Sequence, residues 1–303
     1  MSSRDLPPPT GFPTALILSY GGVVAIWSTT PLAIKWSAEG AGFLFAVTAR
    51  MAIGTAVCLL LLAVLRTPLP RHRRALATYG AAALGIYGAM ICVYWAARFV
   101  PSGLISVLFG LTPILTALLA ALLLRESRLR PLQWIGIALA LAGLGLIFRS
   151  DLRTGEGAAA GIAAILAATL LHSLSTVWVK RAGAGLSALQ VNSGGLLLAL
   201  LAYGLTWVWT GAQWPTGIPP RAGWAIVYLG VLGTVVGFSL YFHTVRHLPT
   251  RVVALIPLIT PVAALLLGIA LNGEQVGPRV WSGTLLIGLG LIAHTRAEPA
   301  LRR

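Results

Sequence analysis

Ten long apolar runs, almost free of charged residues, constrain this chain more than any other feature. They cover residues 14–34, 41–65, 75–97, 101–124, 131–149, 158–179, 187–210, 222–244, 249–271 and 277–295. A helix rising about 1.5 Å per residue needs about 20 apolar residues to cross a hydrocarbon core of about 30 Å, and the runs have that length. Inside lipid every backbone N–H and C=O must pair within the protein, which leaves helices or a closed barrel. Barrel strands would be about ten residues long and alternate in polarity, and these runs do neither. Composition agrees: 57% of the 303 residues are hydrophobic and only 10% are charged, against about 25% charged in a soluble domain. The expected fold class is an all-α integral membrane protein of ten transmembrane helices, with connections too short to hide a soluble domain. Met1 to Gly11 reads as a polar, proline-rich tail. The first run lacks a signal-peptide cleavage site and is expected to stay in the mature protein.

The chain also writes part of itself twice. Pro101, Thr112-Pro113, Glu126, Pro131, Trp134 and Gly136 recur in order as Pro249, Thr260-Pro261, Glu274, Pro278, Trp281 and Gly283. In both copies the first proline is 12 residues from the Thr-Pro proline, and that proline is 13 residues from the glutamate. Trp27-Ser28, Thr30 and Lys35 keep the separations of His172-Ser173, Ser175 and Lys180. Such agreement argues for internal duplication: residues 14–149 and 158–295 form two five-helix repeats, flanked by tails at 1–13 and 296–303. Five is odd, so the second repeat is expected to be inverted, with Glu126 and Glu274 on opposite faces. Inverted repeats of this kind enclose a midplane site in secondary transporters.

Charge placement sets the expected orientation. With the N-terminus cytoplasmic, 15 of the 22 Lys and Arg fall on the cytoplasmic side, 6 fall outside and Arg50 lies within the membrane, so both termini are expected inside. The net charge of +15 then reflects basic span ends facing anionic headgroups, and a nucleic acid is not expected as a partner. Cys58 and Cys92 both lie inside spans, so neither a disulfide framework nor a metal cluster is expected, and no cofactor is implied.

The Trp27-Ser28-Thr29-Thr30-Pro31 end of the first span, Arg50 in the second, Thr112-Pro113 with Glu126, and the echo Thr260-Pro261 with Glu274 together resemble the EamA branch of the drug/metabolite transporter superfamily. The resemblance covers all but the tails. It implies a basket-shaped bundle in the cell's inner membrane, whose first four helices of each half line a central cavity and which exports or exchanges small metabolites, amino acids or drugs. It names no substrate.

Arg50 is the sharpest single residue. It lies ten residues into its run, about 15 Å deep and beyond easy snorkelling. An Arg at a helix centre costs about 2.5–3.5 kcal/mol on insertion scales, so it should face water or a partner. All seven Asp and Glu fall in tails, loops or span ends. Two readings stand side by side: Arg50 attracts a substrate carboxylate, which its planar fork can bind through two oxygens, or it ties to backbone carbonyls freed near Pro31 or Pro113.

Other candidates line up around it. Trp27 and Thr30, next to Pro31, either line the cavity or serve as an interfacial indole and helix-contact hydroxyl. Tyr87 and Tyr94 in the third span, with Phe238 and Tyr241 in the eighth, suit a cavity for apolar or aromatic metabolites or, near span ends, an aromatic belt. His172, Ser173 and Thr176 share one stripe of the sixth span with Thr169. A histidine with an ordinary pKa of about 6.5 can carry a proton, or it can be a hydrogen-bonded structural group. Gln190 and Asn192 in the seventh span, beside Ser193, suit a zwitterion or interhelical contact.

Pro113, Pro257 and Pro261 are expected to interrupt spans four and nine as hinges or gates, or as packing kinks. The glycines of spans five and ten, Gly136, Gly143, Gly145, Gly283, Gly288 and Gly290, are expected to pack those helices as a scaffold; a homodimer is left open.

The leading function is a secondary transporter that exports small organic metabolites, amino acids or related zwitterionic or anionic compounds, by alternating access. Without acids in the spans the usual proton relay is missing, so a facilitator is as plausible as an antiporter. A cationic drug exporter and a flippase for a lipid-linked carrier are the alternatives. An intramembrane enzyme would need a nucleophile with its base, a metal cluster or paired carboxylates, and the spans supply none. The expected partners are a small-molecule substrate and the lipid bilayer.

Overall fold

A computed structural model describes residues 14–124, 130–151, 157–182, 184–248, 253 and 255–296, and they contain helices and no strand. In order these are α1 (Thr14–Ala38), α2 (Phe43–Val64), α3 (Arg73–Ala96), α4 (Ser102–Leu123), α5 (Pro131–Asp151), α6 (Ala158–Ala182), α7 (Ala188–Thr210), α8 (Pro220–Tyr241, helical on to His247), α9 (Ile256–Asn272) and α10 (Pro278–Arg296). Seven of them, α1 to α4 and α6 to α8, are long and apolar enough to cross a membrane, whereas Pro131–Ile147 within α5 and the whole of α9 are apolar but shorter. The chain is therefore a multi-pass helical membrane protein, with seven full-length candidate spans where the sequence suggests ten. Glu126 and Pro249 lie outside the described residues.

The prolines act differently from one another. Pro31 sits inside α1, where its missing N–H leaves the Trp27 carbonyl without its helical donor. Around Gly110 and Leu111, α4 is broken, and Pro113 lies in the first turn of its second segment. Pro257 lies in the first turn of α9, where the missing N–H has no partner within that helix to lose. Pro261 is inside α9, and a Cβ on Gly110 would stand 3.6 Å from its ring, so the break in α4 abuts the proline of α9.

Most tertiary packing runs between the sequence halves. Helix α1 packs on α8 and α9, while α6 packs correspondingly on α3 and α4; α2 meets α7 and α8, α7 meets α3, α4 meets α9, and α5 meets α10. Glycines allow the closest approaches. A Cβ on Gly136 would fall 2.5 Å from the Gly290 carbonyl, and one on Gly143 would fall 2.6 Å from the Gly283 carbonyl. Any side chain there would force α5 and α10 apart, as the small-residue rule for membrane helices requires. The expected scaffold pair is present, and it uses these glycine faces within the chain.

Both α3 and α8 widen into a π-helical segment, at Leu84–Ala89 and Leu229–Val236. Each opens on the same pattern, Leu84-Gly85-Ile86-Tyr87-Gly88 and Leu229-Gly230-Val231-Leu232-Gly233, at the separation that links Trp27 to His172. Wide turns loosen the regular carbonyl partners and need replacements. In α8 the Thr234 hydroxyl donates 2.9 Å to the Leu229 carbonyl, five residues back. In α3 the Tyr203 hydroxyl of α7 donates to the carbonyls of Ile86 and Tyr87, at 3.0 and 3.3 Å.

Candidate functional site

Arg50 lies buried on α2, where the helix meets the π segment of α8; only 5% of it is exposed. Its Nε donates to the Thr234 hydroxyl at 3.3 Å, which is free to accept because its own proton goes to Leu229. The π turn of the second half thus aims an acceptor at the cation of the first half. No hydrogen bond joins Arg50 to a carbonyl near Pro31 or Pro113, and its Nη1 is buried with no hydrogen-bond partner among the described residues. Buried donors are nearly always paired, so this one marks a place where a further acceptor fits.

Gly233 keeps space open beside it. A Cβ there would stand 3.6 Å from Arg50 Nη2, 3.8 Å from Thr30 Oγ1 and 3.4 Å from Leu229. Thr30 donates its proton to the Ile26 carbonyl at 2.7 Å, which leaves the oxygen lone pairs toward that space. The hydroxyls of Ser28, Thr48 and Tyr94 are likewise buried without hydrogen-bond partners among the described residues. Tyr203 stands within electrostatic reach of Arg50, Tyr94 and Tyr87. It packs edge-on to Tyr87 at 4.9 Å, and the Tyr87 hydroxyl in turn bonds Thr206 at 2.6 Å.

The remaining sequence candidates divide into those near this cluster and those used elsewhere. Trp27 packs with Phe238 and Tyr241, at ring separations of 6.0 and 4.8 Å, making one aromatic wall between α1 and α8. His172 stacks with Phe109 at 5.4 Å and sits beside Gly85 of the other π segment. Ser173 makes a long 3.4 Å bond to the Thr112 carbonyl. Thr176 is exposed and folds its hydroxyl back onto the His172 carbonyl. Gln190 completes a capping box with Ser187 at the start of α7 and donates to the Pro68 carbonyl at 2.8 Å, so it fixes a helix entrance. Asn192 donates to Cys58 Sγ at 3.6 Å, a contact between α7 and α2 two turns from Arg50.

A second polar cluster, at the end of α1, was not apparent from the sequence. Glu274 is buried, 8% exposed, and pairs with Lys35 at 3.4 Å. It accepts from the Ser102 amide and hydroxyl at 2.8 and 2.9 Å and from Asn272 at 3.1 Å. Ser102 opens α4, so the carboxylate also answers that helix's positive end. Gly268 lies against the carboxylate and leaves it room. Around this core Asn272 accepts from Trp36 and Arg221, each at 2.9 Å, while Arg221 stacks on Trp36 at 4.2 Å and reaches Glu39 at 3.7 Å. Ends of α1, α4, α8 and α9 are thereby drawn together. The repeated Lys35 and Glu274 were the available signal, but nothing in the sequence said that they touch.

Polytopic helices paired across two sequence halves, with a buried cation and unpaired hydroxyls between them, define a membrane-transporter class of fold. The chain belongs to the EamA-like transporter family, which matches it twice, over residues 15–149 and 159–295. Escherichia coli YedA, termed an uncharacterized inner membrane transporter, is 25% identical over 64% of this chain and 60% of its own length. Bacillus subtilis YwfM, an uncharacterized transporter, is 29% identical over 62% of each chain. Salmonella typhimurium PagO is 26% identical over 68% of each. The chain thus spans about three-fifths to two-thirds of the length of these relatives. A solved crystal structure superimposes with a TM-score of 0.63 over 96% of this chain and 99% of the other at 22% identity, a likeness of fold.

Proposed function

We propose that the protein is a secondary transporter of small carboxylate-bearing metabolites, amino acids or related zwitterions and anions, which it exports across the inner membrane. The observation that carries this reading is Arg50: a buried guanidinium at the contact between the halves, held by one hydroxyl, with Nη1 unpaired. A carboxylate bridging Nη1 and Nη2 would satisfy the fork, with Thr30 beside it and the Trp27, Phe238 and Tyr241 wall contacting the rest of the solute. Glu274 favours an anionic solute too, since it is engaged by Lys35 and Ser102 and is not open to a cationic drug.

In this reading residues 14–149 and 158–295 are inverted five-helix repeats with both termini cytoplasmic. The exchanged pairing of α1 with α8 and α9, and of α6 with α3 and α4, supports two related halves that rock about α5 and α10. The Lys35–Glu274 cluster then closes one mouth, and Pro31, Pro113 and Pro261 are the bending points. The test is efflux of radiolabelled amino acids from proteoliposomes, with and without a proton gradient. Loss of one charge-assisted contact worth about 2–3 kcal/mol predicts a fall of about 30-fold or more in kcat/KM for Arg50→Gln. An Arg50→Gln variant that inserts normally and keeps both affinity and rate overturns the assignment.

A further inference from the structure

Helices α3 and α7 touch closely at one end and part at the other. Near the start of α7, Gly195 lies so close to α3 that a Cβ would stand 2.7 Å from Ala82. Farther along, α3 presents Tyr87, Ile91 and Trp95, and α7 presents the smaller Ala202, Thr206 and Thr210, each row at four-residue spacing along one face. Beside these rows lie two adjoining hollows of about 380 and 280 Å³ that share Thr206 and Thr210 in their walls, one reaching Tyr87 and the other Phe43 and Trp95, and together they form a groove. The Tyr87–Thr206 hydrogen bond at 2.6 Å ties the two helices at the deep part. Tyr203 packs against Tyr87 behind that bond.

At the mouth sits Arg98. Its guanidinium lies over Phe43, Trp95 and Phe99 at 4.9, 5.3 and 4.9 Å, and its Nε donates to the Trp95 carbonyl at 3.3 Å. The side chain is exposed and pairs with no carboxylate among the described residues. Three ring faces hold a cation in place without neutralising it, so its outer nitrogens remain available to an anion. Trp209, 92% exposed, and Trp214, 75% exposed, lie on α7 and just past its end, as indoles do at a membrane interface. Arg98 lies 11 residues after Tyr87, just past the end of α3 at Ala96, or about 16 Å away at the helical rise, close to one leaflet of a hydrocarbon core of about 30 Å.

We infer that this groove is a binding site for an anionic bilayer phospholipid, its phosphate on Arg98 and one acyl chain lying along the groove down to Tyr87. The charge selects the headgroup, the apolar floor takes the chain, and the length matches a single leaflet. This site is separate from the proposed substrate chamber, and its occupancy does not depend on what the protein transports.

Native mass spectrometry of the purified full chain, delipidated in neutral detergent and offered equal amounts of phosphatidylglycerol and phosphatidylcholine, tests it. Wild type is expected to retain phosphatidylglycerol about tenfold over phosphatidylcholine, the effect of one charge-assisted contact of about 1.4 kcal/mol, and to lose that preference as salt rises. Arg98→Gln should bind both lipids alike, and Arg98→Lys should keep part of the preference. Ala202→Trp, which fills the groove and leaves Arg98 in place, should reduce retention of both lipids. Equal retention by wild type, an undiminished preference in Arg98→Gln, or undiminished binding in Ala202→Trp overturns the inference.

Discussion

Two buried charges in this protein have opposite surroundings. Glu274 sits where four helix ends meet, and its oxygens are occupied by Lys35, the Ser102 amide and hydroxyl, and Asn272. Arg50 sits between α2 and α8 with one hydroxyl on Nε and, among the described residues, no hydrogen-bond partner on Nη1. A charge taken from water costs several kcal/mol unless partners replace its hydration. Glu274 has those partners within the chain, so its cluster can fasten helices; among the described residues Arg50 has them only in part, which is why a ligand is proposed as its complement. The saturated site is structural in character and the incomplete one is suited to a ligand. Burial by itself would not have told them apart.

That contrast can be broken by substitution. Glu274→Gln keeps the shape but removes the charge facing Lys35, whose side chain is 29% exposed. Because Lys35 retains some water, we expect the loss to be about 2 kcal/mol, below the range of about 3–5 kcal/mol for breaking a fully buried pair. A clear drop in Tm should accompany it, with ligand affinity in the remaining folded protein little changed. Gly233→Ala acts in the reverse sense. Its new methyl meets Leu229, Arg50 and Thr30 only at ordinary contact distances, and alanine favours helix by about 0.5–1 kcal/mol over glycine. The variant should be as stable as wild type or slightly more so, while ligand affinity falls about tenfold, since the methyl occupies the space beside the guanidinium. Paired thermal melts and binding isotherms check both; a Gly233→Ala protein that binds as tightly as wild type would remove that space from the site.

Much of this architecture can be read from residue patterns, and some of it is written there without its consequence being legible. Helix placement followed from apolar length, although α9 and the apolar part of α5 fall short of a full span, and the burial of Arg50 followed from its place inside an apolar run. The close contact of α5 and α10 followed from glycines, because backbone approach needs small residues whatever the partner. The Leu-Gly-x-x-Gly pair of α3 and α8 was equally visible as a repeat, yet its consequence was not. A π turn changes which carbonyl meets which donor, and only the fold shows that Thr234 and Tyr203 supply the missing bonds. Ser187-x-x-Gln190 carries a capping-box signature, yet Gln190 lies at the start of an apolar run, where its side chain equally suits a zwitterion or an interhelical contact. Tyr203 looked like any aromatic in a span. Lys35 and Glu274 are far apart in the chain, so their contact depends on how α1, α4 and α9 converge, which no local pattern encodes.

The most direct measurement of the contrast is the ligand-induced shift in Tm across a panel of zwitterionic amino acids, taken side by side for wild type, Arg50→Gln and Glu274→Gln. A ligand of the folded state raises apparent stability by mass action, by about 2.7 kcal/mol at one hundred times its Kd. Glu274→Gln should start from a lower Tm and still show the wild-type shift, whereas Arg50→Gln should show almost none. An Arg50→Gln protein that is stabilised by the same amino acids to the same extent as wild type contradicts the account.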